Sequence, residues 1–352
     1  MKRTALYFGM AFVLAALLAA PSYALEAKLS GQVNQMVMWA DDGNEDDFFV
    51  ADNDSSSTRF RFTGEETFGK VKAGFQIEIE AQRNSSALVT MEQDNDGNFD
   101  GDSTGFEWND RWLNVYFDTQ MGKFEIGKGD GAANNTSEQD LSGTAVVTYS
   151  DVNATGGSFE YQDDGVYGSA VSASRNNFDG LSRNERIRYN TPNFGGFYGA
   201  TSATNGEAWE VAGFYAAELY GKVAAAVGYV DGGDRSAYSQ IGGSISWLLP
   251  MGLNFTAAAG QRDNDANDRD PLNYYLKVGY KWDIHAVSVE YGMTENLAAE
   301  DEEASNYGAA YVINPWKPVE FYAAGRNYML DASTGNDPDD ILVVMAGTRI
   351  KF

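Results

Sequence analysis

Residues 341–352, ILVVMAGTRIKF, close the chain with an alternation that is typical of a strand in a membrane barrel. One parity is mostly apolar and ends on an aromatic ring: Leu342, Val344, Ala346, Thr348, Ile350 and Phe352. The other parity carries Arg349 and Lys351. A strand with one face suited to lipid and one suited to water is what a barrel wall needs. The pattern therefore predicts an outer-membrane β-barrel, with Phe352 as an assembly signal.

The N-terminus predicts a secretory signal peptide over residues 1–24. Lys2 and Arg3 precede an apolar run at 5–20, and small residues follow in the sequence PSYA at 21–24. The alternative is a membrane helix, but the run is shorter than the ~20 apolar residues that span a bilayer. We expect residues 25–352 to form a single barrel domain.

Composition limits the function classes. The formal net charge of −26 becomes two units more negative once Lys2 and Arg3 are removed, which argues against nucleic acid as a partner. The chain has no cysteine, so disulfides do not stabilise it. Mean hydropathy is only −0.39. A membrane protein this polar must be a barrel, because barrel strands turn half of their residues to the lumen.

Alternating strands recur along the chain, separated in turn by short and long polar connections. After a turn at 65–69, one parity is apolar: Val71, Ala73, Phe75, Ile77, Ile79 and Ala81. Long polar stretches lie at 41–56, 83–108, 130–157, 262–271, 295–305 and 331–340. Short periplasmic turns and long extracellular loops are typical of bacterial barrels. At about 20 residues per strand and connection, the chain predicts an all-β antiparallel barrel of about sixteen strands.

Three motifs give the chain a family resemblance. They are TRFRFTGEETFGKVKAGFQ at 58–76, the strand 122–128 followed by SEQDLSGT at 137–144, and RIRYNTPNFGGF at 186–197. In this order they resemble the Gram-negative general porin family, which forms trimeric barrels of sixteen strands. The resemblance implies a homotrimer in the outer membrane and a third loop that folds inward as a constriction. It also implies passive diffusion of ions and small hydrophilic solutes.

Basic residues on lumen-facing parities are candidates for the pore constriction. Phe60 and Phe62 take the lipid side of their strand, which turns Arg59 and Arg61 inward. The same parity argument leaves Arg111 open, since it shares its parity with apolar residues: either the strand carries a bulge or Arg111 lies outside the pore. The basic candidates are Arg59, Arg61, Lys72, Arg111, Arg186 and Arg188.

By resemblance, the third loop presents acidic residues across the opening: Glu138, Asp140 and Asp151. Opposed charges create a transverse field that orients dipolar solutes and penalises apolar ones. The alternative is that the arginines pair with neighbouring acids along the wall.

The second loop contains a possible structural calcium site. Its oxygen ligands have the spacing of a twelve-residue calcium loop, with Gly101 at the turn: Asp96, Asn98, Asp100, Asp102, Thr104 and Glu107. The alternative is a solvated extracellular loop. No other cofactor is required by the sequence. Acidic clusters at 41–47, 263–270 and 300–303 are expected to be solvated or to bridge through divalent ions to lipopolysaccharide.

The sequence favours a diffusion porin with mild cation selectivity, because excess acidic residues on the loops attract cations to the mouth. The alternatives are a solute-specific channel and a closed structural or adhesive barrel. An enzyme is not expected: the single histidine, His285, lies beside a short turn, and no Gly-x-Ser-x-Gly motif is present.

Overall fold

The computed structural model describes residues 25–91, 107–265, 267, 269–333 and 338–352. The predicted signal peptide at 1–24 lies outside the described residues. The calcium-loop candidates Asp96, Asn98, Asp100, Asp102 and Thr104 also lie outside them, and Glu107 is the first residue of a strand.

Besides three single-turn 3-10 helices, the described part of the chain contains nineteen strands and one short α-helix. They are β1 (Glu26–Asp41), β2 (Asp46–Asp52), β3 (Arg59–Phe68), β4 (Val71–Gln82), β5 (Glu107–Thr119), β6 (Gly122–Asp130), β7 (Glu160–Asp163), β8 (Val166–Ala170), α1 (Val171–Ser174), β9 (Arg183–Asn190), β10 (Phe197–Thr204), β11 (Trp209–Glu218), β12 (Lys222–Asp231), β13 (Tyr238–Leu248), β14 (Leu253–Asn264), β15 (Leu272–Trp282), β16 (His285–Glu295), β17 (Glu303–Trp316), β18 (Val319–Asp331) and β19 (Ile341–Lys351). Among the described residues, no helix is long and apolar enough to cross a membrane.

Seventeen of these strands form one closed antiparallel barrel with sixteen wall positions. Strand β1 pairs with β19 on one side, with Val33 opposite Ile350, and this pairing closes the barrel. On its other side β1 pairs with β3 along one half and with β2 along the other, so β2 and β3 share a position. The predicted sixteen-stranded all-β barrel is confirmed.

Short turns and long connections alternate around the barrel as the sequence predicts. Strands β3 and β4 are joined by residues 69–70, whereas residues 131–182 separate β6 from β9. The prediction of a long loop over 41–56 was wrong, because β2 occupies 46–52 and pairs with the end of β1. The run FFVA at 48–51 within that acidic stretch provides the strand signal: Phe48 and Val50 are exposed on one parity, and Phe49 and Ala51 are buried on the other.

The C-terminal residue is integrated into the barrel seam. The Phe352 amide donates to the Gly31 carbonyl at 3.0 Å, and the Gly31 amide donates to the Phe352 carbonyl at 2.9 Å. The Phe352 ring lies 5.9 Å from the Phe60 ring on the outer wall. Leu342, Val344 and Ile350 are also exposed there, as the alternation of β19 predicts.

The segment between β6 and β9, here named L3 (residues 131–182), folds into the lumen. It contains the β7–β8 hairpin and α1, and it bonds to the inner wall along several strands. The Gln139 and Leu141 amides each donate at 2.9 Å to wall serines, Ser244 and Ser246. The inward-folded third loop that the family resemblance implies is confirmed.

A row of glycines lets L3 lie close to the wall. Gly228 pairs with Gly242, and Gly242 pairs with Gly260, so the three form a row across β12, β13 and β14. A Cβ at Gly228 would lie 2.6 Å from Ala133, and one at Gly260 would lie 2.9 Å from Phe178. Real side chains do not approach this closely, so glycine is required where L3 packs.

Farther round the barrel, L3 builds an apolar core inside the lumen. Phe159 and Tyr161 pack against the inner faces of β1, β2 and β17–β19, and Met38, Ile341 and Val343 are fully buried there. This explains why the sequence at 341–345 is apolar on both parities: one faces the outside and the other faces L3.

Candidate functional site

A cavity of about 1080 Å³ remains in the lumen between L3 and the wall formed by β3–β5. Its lining is dominated by charged and polar groups rather than by the apolar side chains that fill the opposite side. The charged residues are Asp54, Arg59, Arg61, Glu80, Arg111, Asp130, Glu138, Asp151, Asp179, Arg183, Arg235 and Arg262.

The wall side of the cavity carries an arginine trio, Arg59, Arg61 and Arg111, arranged around a buried glutamate. Glu78 is fully buried, and it accepts from Arg61 Nε at 2.7 Å and from Arg111 Nε at 2.8 Å. Arg59 Nη1 lies 3.6 Å from the same carboxylate. Arg111 also forms an ion pair with Glu80. The trio is therefore held in place by carboxylates that offset part of its charge.

A β-bulge settles the orientation of Arg111. The register between β4 and β5 shifts between Glu78 and Ile79, which pair with Trp112 and Asp110 and leave Arg111 as the extra residue. A bulge breaks the parity of a strand and redirects a side chain. Arg111 consequently lines the cavity although Leu113 and the apolar residues after it face outward.

On the opposite side, L3 presents three acidic residues, named here the L3 carboxylates: Glu138, Asp151 and Asp179. Asp179 accepts from the Asn135 amide at 2.6 Å and from the Ser137 amide at 2.9 Å. These bonds, and one from Asn177 Nδ2 to Glu138 at 3.0 Å, fix the carboxylates within L3.

The environment of L3 favours the neutral forms of these groups. Burial raises the pKa of Asp179 to about 6, even though its two amide donors act in the opposite direction. Burial also raises the pKa of Glu138 well above its usual value, and the nearby Asp179 and Asp151 raise it further. Burial likewise raises the pKa of Asp151. The negative charge on L3 is therefore sensitive to mild acid.

The structure brings together five of the residues that the sequence singled out for the opening: Arg59, Arg61, Arg111, Glu138 and Asp151. The predicted alternative, pairing of arginines with acids along the wall, also occurs in the trio with Glu78 and Glu80. The two arrangements coexist because each guanidinium has several donors.

The remaining candidates lie elsewhere. Lys72 pairs with Glu65 at 3.0 Å near the β3–β4 turn, and Asp140 pairs with the buried Lys277 at 2.8 Å. Arg186 is buried in an ion pair with Glu125. Arg188 donates to the Gly131 carbonyl at 2.8 Å, at the start of L3.

Sequence reasoning missed several charged groups of the cavity. Alternation placed Glu78 and Glu80 on the polar face of β4, but nothing in the sequence paired them with the trio. Arg183 begins β9, two strands along the wall from β5, whereas Arg235 and Arg262 come from the β12–β13 connection and from β14 on the far side, and only the closed topology brings those two to the cavity. In the described ranges, no group of three or more carboxylate, imidazole or thiol side chains is placed to hold a metal ion.

Comparison with known proteins gives a consistent result. A sequence model described as Gram-negative porin matches residues 11–333. No curated protein sequence matches the chain.

Among solved structures, the chain is similar to an anion-selective porin from Comamonas acidovorans (17% identity, TM-score 0.66, covering 93% of this chain and 99% of that one). It is also similar to the outer membrane channel DcaP of Acinetobacter baumannii (14%, TM-score 0.62, 93% and 97%). A third similar structure is the trimer form of OmpT, an outer membrane protein of Vibrio cholerae (12%, TM-score 0.58, 93% and 99%). At these identities the likeness concerns the fold. The match to the family model spans most of the sequence, so the chain belongs to the Gram-negative porin family and is an outer-membrane barrel that forms a diffusion channel.

Proposed function

We propose that the channel passes ions and small hydrophilic solutes by passive diffusion, with the cavity between L3 and β3–β5 as its constriction. The observation that carries this proposal is the cavity itself, about 1080 Å³ in volume and lined by charged groups on both sides. The width of a constriction selects solutes by size, and the charges that line it select them by polarity. Apolar solutes are disfavoured because they would displace water from these groups without replacing its hydrogen bonds.

We further propose mild cation selectivity. The arginine trio carries three positive charges, but Glu78 and Glu80 lie against it and leave a small net charge on the wall. The L3 carboxylates face it, and the chain as a whole has a formal charge of −26. The charges of the arginine trio act only within ~8 Å at physiological salt. The acidic residues at the channel mouth therefore set the overall ion selectivity.

The experiment is single-channel recording from the purified native oligomer in a planar bilayer, with the reversal potential measured across a KCl gradient. We expect large conductance steps and a reversal potential on the cation side. A reversal potential on the anion side would contradict the selectivity. Saturation by one solute would favour the solute-specific alternative, and silent folded protein would favour the closed structural or adhesive barrel. A channel-forming family accords with the prediction that the chain is not an enzyme.

We infer a homotrimer embedded in outer-membrane lipid and in contact with lipopolysaccharide. The trimer form of the similar OmpT structure supports this assembly. Chemical cross-linking of the detergent-purified protein, which should give a trimer band, tests it. Bilayer recording is the second test, and conductance should close in three steps.

Two proposals concern segments that lie wholly or mostly outside the described residues. Removal of residues 1–24 on export is tested by N-terminal sequencing of the outer-membrane form. The calcium loop at 96–107 is tested by Asp100→Ala, which should lower the trimer melting temperature in calcium only. Equal loss with a chelator would contradict calcium binding.

A further inference from the structure

Across the cavity from the arginine trio, Arg262 on β14 presents a guanidinium that has no ion-pair partner among the described residues. Its nitrogens make two hydrogen bonds, both to the neutral side chain of Gln240: Nε at 3.1 Å and Nη2 at 2.9 Å. A guanidinium has five N–H donors, so three remain available. Arg262 lines the cavity, where an approaching solute can reach it.

The guanidinium of Arg262 is held in a fixed orientation. Its central carbon lies 4.0 Å from the centre of the Tyr238 ring and 4.9 Å from that of Phe178. Gln240 is only 3% exposed and donates through Nε2 to the Asp179 carbonyl, which directs its oxygen towards Arg262. The two rings and the amide therefore hold the guanidinium in place before an anion binds. The side chain then loses less conformational entropy on binding.

The backbone of L3 is strained where it supplies one of these rings. Phe178 has φ 47°, in the left-handed region that bulky side chains rarely adopt. Its amide is held by Asn176 Oδ1 at 2.8 Å, and its side chain is 1% exposed above Gly260. Strained residues of this kind cluster at ligand clamps and persist only where the surroundings enforce them.

We propose that Arg262 is the centre of an oxyanion-binding site in the channel, which takes the carboxylate or phosphate group of a small solute. A guanidinium with free, pre-oriented N–H donors matches the oxygens of these groups. Arg235 lines the same side of the cavity, is exposed, and donates to Thr204 Oγ1 at 3.2 Å, so it adds a second positive charge without a carboxylate partner among the described residues. The site is separate from the arginine trio, whose members are already bonded to Glu78 and Glu80.

This inference rests on the proposed function, because a permeating solute meets Arg262 only if the cavity lies on the diffusion path. Binding is measured on the folded, detergent-purified oligomer by the relaxation of ¹³C-acetate and of the ³¹P signal of inorganic phosphate. The variants are Arg262→Gln, Arg262→Lys and the matched control Arg269→Gln, a partly exposed arginine of the β14–β15 loop that does not line the cavity.

We expect wild type and R269Q to bind at least one probe equally well, and R262Q to bind it about tenfold more weakly, as for loss of a charged hydrogen-bond donor. R262K keeps the charge but lacks the planar fork, so it should lie between them, and it serves as the test variant if R262Q fails to fold. Binding of acetate alone assigns a carboxylate site, and binding of phosphate alone assigns a phosphate site. Equal binding by the Arg262 variants and R269Q, or no binding by wild type, would overturn the proposal.

Conductance separates this site from the diffusion function. Adding the bound probe at constant KCl should reduce the current through wild type and R269Q, and it should do so less through R262Q. A wild-type protein that binds the probe but does not conduct would reject the diffusion channel and leave the site intact. A conducting protein without Arg262-dependent binding would reject the site alone.

Discussion

Two sectors of the barrel wall meet the lumen in different ways. In the charged sector, β3–β5, the inner face carries the arginine trio and Glu78, and the cavity lies in front of it. In the packed sector, β12–β19, the inner face carries the glycine row, serines and apolar side chains, and L3 covers it except where Tyr238, Gln240 and Arg262 reach the cavity. The barrel wall therefore has two kinds of inner face: one contacts water in the cavity, and the other packs closely against L3.

The ion pairs of the two sectors differ in how far their arginines are exposed to water. In the packed sector, Arg326 is 1% exposed and donates from Nε and Nη2 to Glu290 at 2.8 and 2.6 Å. In the charged sector, the side chains of the trio are 15–37% exposed around Glu78. Removing a carboxylate should therefore mainly lower stability in the packed sector and mainly change ion selectivity in the charged sector. Water can solvate the arginine trio when it loses its counter-charge, but it cannot solvate Arg326.

The largest effect is expected from Glu290→Gln in the packed sector. This change leaves Arg326 buried without a counter-charge and weakens the bond that Glu290 accepts from the Tyr275 hydroxyl at 2.7 Å. Breaking a buried pair in this way costs about 3 kcal/mol or more. Denaturant unfolding followed by tryptophan fluorescence measures the loss. Glu320→Gln, a partly exposed carboxylate paired with Arg349 and Lys351, is the control and should cost far less. Equal losses would remove the distinction between the sectors.

A second effect on stability is expected from Gly242→Val, in the middle of the glycine row. A side chain there would collide with the Phe178 backbone and push L3 off β13. Overpacking of this kind costs about 2 kcal/mol, and a displaced L3 should also alter single-channel conductance. Gly199→Val on β10 is the matched control, since the nearest atom to its Cβ would be 3.6 Å away. An unchanged conductance and stability in G242V would show that L3 does not depend on the row.

The barrel could be predicted from the sequence because its signals are local. The alternation at 71–81, the short turns and Phe352 each report the neighbourhood of one strand. Arg59 and Arg61 were placed inward for the same reason. Arg111 could not be placed, because a bulge is set by the pairing between β4 and β5, and parity within β5 alone misleads.

The rest of the site depends on contacts that are distant in sequence. Arg262 and Phe178 meet only because L3 crosses the lumen, and Asp140 is drawn to Lys277 on β15. One sequence signal was available: Met36, Met38, Ile341 and Val343 are apolar on the lumen parity. A polar lumen does not require such residues, so they mark the part of the wall that L3 covers.

In the charged sector, Glu78→Gln should change selectivity more than stability. It removes a negative charge from among three arginines, so the wall becomes more positive and the reversal potential in a KCl gradient should shift towards the anion side. The unfolding free energy should fall by about 1 kcal/mol, because the trio is partly solvated. Glu65→Gln, which carries the same charge change on β3 beside Lys72, is the control and should leave the reversal potential nearly unchanged. A large loss of stability without a shift in selectivity would place Glu78 in the same class as Glu290.

The smallest effect is expected from pH, and it tests the L3 side of the cavity. Burial raises the pKa of Asp179 to about 6, so this carboxylate is mainly charged at pH 7.5 and gains a proton as the pH falls towards 5. Negative charge is lost from L3 while the arginines keep theirs, so cation selectivity should weaken over that range. Asp179→Asn should flatten this part of the pH profile, although Glu138 and Asp151 still titrate nearby. Asp164→Asn, at the exposed β7–β8 turn, makes the same charge change away from the cavity and should keep the wild-type profile. A profile that D179N leaves unaltered would assign the titration to another group and weaken the view that the L3 carboxylates oppose the arginine trio.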